Sequence, residues 1–82
     1  MEKTIRNVQY RRLINFLRET REDKGITQVQ LGKLIDENQN FISKVETFER
    51  RLDVIELRII CSALKVSFPK FVQDFENRLN GK

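Results

Sequence analysis

Two side-chain amides, a hydroxyl and an ammonium stand close together at Gln39, Asn40, Ser43 and Lys44. In their ordinary states none of them is a nucleophile or a general base, so their shared chemistry is hydrogen bonding. An Asn or Gln amide sets a donor beside an acceptor and fits the N6 and N7 edge of adenine. A lysine donates to guanine or neutralises a phosphate. Presented on a short helix, such a set is what the major groove of DNA admits. Gln39 and Asn40 are the leading candidates for base or phosphate contact.

The surrounding residues are those that would build and prop such a helix. Ile42 and Val45 mark one apolar face of a segment that Asn38 can cap and that runs to about Thr47. A second short helix precedes it, with Leu31, Leu34 and Ile35 on one face and an end near Ile35. Thr27 caps that helix, Gln30 completes a capping box, and Ile26 with Leu31 forms a hydrophobic staple. Only Asp36, Glu37 and Asn38 remain to turn between the two helices.

Three further helices follow from the same signals. The first covers residues 8–24, with Tyr10, Leu13, Ile14 and Leu17 at helical spacing and Gly25 as its stop. A loop over residues 48–52 carries Arg50 and Arg51. The fourth helix opens at Asp53, with Glu56 completing a capping box, Leu52 and Leu57 as staple, and Leu57, Ile60, Cys61 and Leu64 facing inward. The fifth opens at Ser67, tolerates Pro69 in its first turn, and carries Phe68, Phe71, Val72, Phe75 and Leu79 at helical spacing. Strand signals are lacking. The expected fold is therefore all-α: a single five-helix domain over residues 8–79, an N-terminal arm over 1–7 and a frayed end at 80–82. The last helix has more apolar width than one small core needs, and this surplus predicts a homodimer through Phe68, Val72, Phe75 and Leu79.

Composition narrows the function. The 82 residues carry 16 Lys and Arg against 12 Asp and Glu, a net charge of +4 that favours a polyanionic partner. Histidine is absent, and the lone Cys61 has no histidine partner, so a Cys-His nucleophile is excluded and a buried reduced thiol is expected. No Cys/His cluster offers a zinc site, and no glycine-rich loop precedes a helix. The chain is expected not to be an enzyme and to need no cofactor or metal. No apolar run approaches the ~18 residues that span a bilayer, and no signal peptide opens the chain, so a cytoplasmic location is expected.

These residues resemble the phage repressor and Cro type of helix-turn-helix regulators, also called the xenobiotic-response-element (XRE) type, with its lambda-repressor-like fold. The similarity spans residues 13–71. Its signature is R-x-x-x-G-I-T-Q-x-x-L at residues 21–31, then I-S-K-V-E at 42–46, R-R-L-D-V-I-E-L from Arg50 and A-L-K-V-S from Ala63. The resemblance implies that Gln28 touches phosphate and braces the recognition helix. It implies that Gln39, Asn40 and Lys44 face the groove, with Asn38, Phe41 and Ser43 beside them. Thr47, Arg50 and Arg51 would grip the sugar-phosphate backbone, and Arg21 and Glu46 would form a structural ion pair. Phe41 has two readings, packing over the second helix or lying against a thymine methyl. The chain departs from the pattern at Asp36, where glycine is frequent in the turn, at Gly32, where alanine is frequent, and at Glu37, a negative charge near the expected DNA face.

The expected function is sequence-specific binding of double-stranded DNA as a dimeric repressor, each subunit reading half of a palindromic operator. Specificity would come from Gln39, Asn40 and Lys44, and affinity from phosphate contacts by Gln28, Arg50, Arg51 and the arm around Lys3 and Arg6. The alternative is a protein-interaction module, such as the antitoxin half of a toxin–antitoxin pair, or a restriction-modification controller protein.

Overall fold

The computed structural model describes residues 3–81 and places five α-helices among them, with no strand. α1 runs Lys3–Asp23, α2 Gln28–Leu34, α3 Gln39–Glu46, α4 Val54–Ala63 and α5 Phe68–Leu79. α1 thus begins at Lys3 rather than Val8, so the expected arm is helical from Lys3 onward. Its Met1 and Glu2, the side chains of residues 3–5, and Lys82 at the other end lie outside what the structure describes. The earlier start has a simple cause. Residues 3–7 contain no glycine or proline, and extending an existing helix adds a hydrogen bond per residue fixed without needing an apolar face.

The other helices begin where a side chain caps them. The Gln30 N–H donates to Thr27 Oγ1 at 3.1 Å while the Thr27 N–H donates to Gln30 Oε1 at 2.8 Å. Asp53 and Glu56 form the same reciprocal pair at 2.7 and 2.9 Å. Asn38 Oδ1 accepts the Phe41 N–H at 2.9 Å, and Ser67 Oγ accepts that of Lys70 at 3.3 Å. Each cap satisfies an N–H that the helix itself leaves unpaired, an effect of about 1 kcal/mol.

The first four helices also end alike. After each, a left-handed residue reverses the chain: Gly25, Asp36, Phe48 and Lys65. The next N–H then reaches back five residues, as Ile26 does to the Arg21 carbonyl and Glu37 to that of Gly32. Only Gly25 adopts this conformation without a side-chain penalty; a residue with a Cβ gives up roughly 1–2 kcal/mol there.

Ile14 and Leu17 of α1 enclose the core with Leu31, Ile42, Val45, Leu57, Ile60, Cys61, Leu64 and Phe71. Ile26, Leu52 and Val66 pack on it at the starts of α2, α4 and α5, as staples should. Leu34, placed by periodicity on the inner face of α2, is instead 58% exposed; α2 ends there and Ile35 turns inward in its stead. Phe68 also packs against the core, and Phe71 stacks on Phe16 of α1 with ring centroids 4.7 Å apart. Cys61 is fully buried, and burial pushes its thiol up to about 11. No described helix is long and apolar enough to cross a membrane.

α2 and α3 meet backbone to backbone at Gly32. A Cβ there would stand 2.7 Å from the Glu37 carbonyl oxygen and 3.1 Å from the Asn38 carbonyl carbon. Neither can swing away, because the Glu37 N–H is itself bonded to the Gly32 carbonyl at 2.7 Å. Gly32→Ala should therefore destabilise the fold by about 1–3 kcal/mol through overpacking, despite a helix-propensity gain of nearly 1 kcal/mol. Urea denaturation measures this, with Lys33→Ala, exposed on the same helix, expected to leave the midpoint nearly unchanged.

Candidate nucleic-acid interface

α3 divides its side chains cleanly. Ile42 and Val45 are buried, whereas Gln39, Asn40 and Lys44 are exposed and Phe41 and Ser43 half-buried. The division holds only if α3 is fixed in rotation, and a buried ion pair fixes it. Arg21 of α1 donates from Nε to Glu46 Oε2 at 2.7 Å and from Nη2 to Oε1 at 3.0 Å. Its Nη1 donates to the Ile26 carbonyl at 2.7 Å. Both side chains are 9% exposed. A buried pair survives its desolvation cost only with such complete bonding.

From Glu46 a chain of amides runs to the start of α3. Gln28, the first residue of α2, donates from Nε2 to Glu46 Oε1 at 2.9 Å. Gln28 Oε1 in turn accepts the Gln39 Nε2 at 3.3 Å. Gln39 keeps its own Oε1 and its second amide hydrogen for another partner. Asn38 spends its Oδ1 on the cap and keeps its Nδ2 hydrogens.

The segment after α3 is held differently from what the sequence suggests. Arg50 grips the Glu56 carboxylate with two nitrogens, at 3.0 and 2.7 Å, donates to the Arg51 carbonyl at 2.7 Å and lies over the Phe41 ring, 4.6 Å from its centroid. Its fork is thus occupied inside the chain, and it ties the loop to the start of α4. Glu56 is held below the usual carboxylate range, first by Arg50 and then by the Asp53 backbone N–H. The Thr47 hydroxyl lies 2.7 Å from Glu49 Oε2 and 3.0 Å from the Ser43 carbonyl, so it serves the loop as well. Arg51 rests over Tyr10 of α1, 4.1 Å from the ring centroid, and the Tyr10 hydroxyl accepts the Leu52 N–H at 3.1 Å. Sequence reasoning assigned Tyr10 only a core role. Its hydroxyl, the one polar atom in that helical stripe, was the available hint of a partner.

The structure does not bring the expected dimer residues together on one open face. Phe68 is folded against the core and Phe75 and Leu79 are half-buried, which leaves Val72 as the exposed member. Phe75 instead borders a groove of about 340 Å³ with Phe16 and Arg12 of α1. The most exposed large apolar side chains among the described residues are on α4, at Val54 (62%) and Ile55 (61%), with Ile59 (47%) one turn on.

Two short helices joined by a tight turn, the second presenting amides and a lysine from a braced position, define a helix-turn-helix DNA-binding domain. Comparison with known proteins agrees: the helix-turn-helix family model matches residues 17–71. A solved XRE-family like protein from Pseudomonas syringae pv. tomato str. DC3000 is 38% identical, with 93% of each chain covered and a TM-score of 0.87. A tyrosine-to-phenylalanine mutant of the restriction-modification controller protein C.Esp1396I is 25% identical over 87% of this chain and 90% of its own, with a TM-score of 0.79. No curated protein matches. The chain belongs to the XRE-type helix-turn-helix family of DNA-binding transcription regulators.

The ion pair yields a stability prediction. Removing one partner strands the other charge in the interior, at about 3–5 kcal/mol. Glu46→Ala should lower the melting temperature sharply. Glu22→Ala should barely move it, since that exposed carboxylate only approaches Arg21 at 3.9 Å.

Proposed function

We propose that this chain is a homodimeric, sequence-specific repressor that inserts α3 of each subunit into successive major grooves of a palindromic operator. The observation that carries this reading is the amide chain Glu46–Gln28–Gln39, which presets the first side chain of α3 from a buried anchor. Gln39, Asn40 and Lys44 read base edges, and Ser43 and Phe41 border them. Gln28, Asn38, Thr47 and Arg51 lie against the backbone, while Arg50 acts by holding the loop. Repression follows where the operator overlaps a promoter.

Control of a restriction-modification operon is a specific second reading, supported by the similarity to a controller protein at a TM-score of 0.79. It differs in the target gene and not in the chemistry of recognition.

The dimer contact is proposed on α4, around Val54, Ile55 and Ile59, because that face offers the larger apolar exposure. It directly follows the Arg50–Arg51 loop. A palindromic operator requires the two-fold axis to set the two α3 helices on one side of the duplex, about 34 Å apart.

Selection from random duplexes should yield a palindrome. If six to eight phosphates are neutralised per dimer, affinity should fall with a log-log salt slope of roughly −5 to −7. Gln39→Ala or Asn40→Ala should cost about 1–3 kcal/mol and relax preference at one position of each half-site. Unchanged preference in both variants would mean that another surface reads the bases. A chain that binds no duplex at low salt would point instead to a protein partner, such as a toxin.

Sedimentation locates the dimer contact. Ile55→Glu should give a folded monomer with steeply reduced operator affinity, while Phe75→Glu should stay dimeric. The reverse result returns the contact to α5.

A further inference from the structure

The arginines divide by what holds their guanidinium groups. Arg21, Arg50 and Arg78 face the carboxylates of Glu46, Glu56 and Glu19 at 2.7, 2.7 and 3.2 Å. Arg12 donates to the Arg78 carbonyl at 2.8 Å. Arg11 and Arg51 have no carboxylate within ion-pair distance among the described residues. Each lies over an aromatic ring, as Arg50 and Arg78 do in addition to their carboxylates, with Arg11 4.6 Å from the centroid of Phe48 and Arg51 4.1 Å from that of Tyr10.

The two stacks are reciprocal. α1 supplies Tyr10 and Arg11, adjacent in sequence, and the segment after α3 supplies Phe48 and Arg51. The Leu52 N–H bond holds the Tyr10 ring, and the left-handed turn that ends α3 sets the backbone of Phe48 (φ 69). A carboxylate partner consumes the N–H edge of a guanidinium, whereas a ring consumes only its flat face. The edge that is left is the one that takes phosphate oxygens.

We propose that Arg11 is a further contact residue for the DNA sugar-phosphate backbone and forms a clamp with Arg51, whose own backbone contact belongs to the function proposed above. The clamp rests on the DNA-binding function proposed above. A helix lying in the major groove is flanked by two phosphate backbones. Gln28 and Asn38 stand at the N-terminal end of α3, and the clamp stands where the chain leaves its C-terminal end, against the opposite backbone. The aromatic platforms preset both guanidiniums, so less side-chain freedom is lost on binding. Phosphate contact carries no base information, so the clamp sets affinity and register.

The test is fluorescence anisotropy across a salt series, using a duplex selected by the unaltered protein. Arg11→Ala and Arg51→Ala should each flatten the log-log slope by about 2 per dimer, one phosphate per subunit at about 0.9 each. Each should weaken low-salt binding about tenfold with base preference unchanged. Arg12→Ala removes the same charge one residue away and should keep the slope. If Arg11→Ala keeps both slope and affinity, or if Arg12→Ala loses as much, the clamp is overturned while the DNA-binding function stands. If the unaltered protein binds no DNA, both fall. Should Arg11→Ala fail to fold, Arg11→Lys decides: the wild-type slope with several-fold weaker affinity supports the clamp, and unchanged affinity overturns it.

Discussion

The Arg21–Glu46 pair is the joint on which the recognition face hangs. It connects α1 to the last residue of α3, and its remaining bonds reach the Ile26 carbonyl and the Gln28 amide at the start of α2. Three helices therefore share one buried polar cluster. Apolar packing alone would hold α3 in place but would tolerate small rotations, since hydrophobic contact is not directional. A bidentate pair in which each guanidinium nitrogen makes a hydrogen bond is far less tolerant. The exposed amides of α3 inherit their direction from a group they do not touch.

Local rules made most of the fold legible. Caps and staples depend on residues three to five apart, so Thr27, Asn38, Asp53 and Ser67 declared the helix starts without any tertiary knowledge. Asp36 stands where the resemblance implies a turn glycine, and it takes the left-handed conformation there. What local rules left unread is orientation between distant elements. The apolar width of α5 suggested an open face, but Phe16 of α1 stacks on Phe71 and the core takes Phe68. On α4 periodicity separated the faces, with Leu57, Ile60, Cys61 and Leu64 buried, but it assigned no role to Val54, Ile55 and Ile59 on the exposed side. Arg50 was read as a phosphate contact from its place beside Arg51 just after α3 and from the resemblance, and nothing local indicates that Glu56 serves both as capping partner and as its carboxylate.

The turn between α2 and α3 depends on close approach as much as on its capping side chains. Gly32 lets the chain of Glu37 and Asn38 lie directly on α2, and Asp36 accepts a strained backbone to bring it there. The glycine weakens α2 as an isolated helix. Its seven residues would not be stable alone in any case, so the loss matters little beside the packing it permits. Together these residues keep the spacing between the two helices short.

Cys61 gives the domain a property unrelated to DNA. Its thiol is sealed in the core and pushed up to about 11, so the thiolate, the form that oxidants and electrophiles attack, is scarce at neutral pH. In the folded domain burial shields this thiol from solvent-borne oxidants. The unfolded chain regains an ordinary reactive thiol, so alkylation of Cys61 counts openings of the core and turns this one sulfur into an internal clock for how often the molecule comes apart.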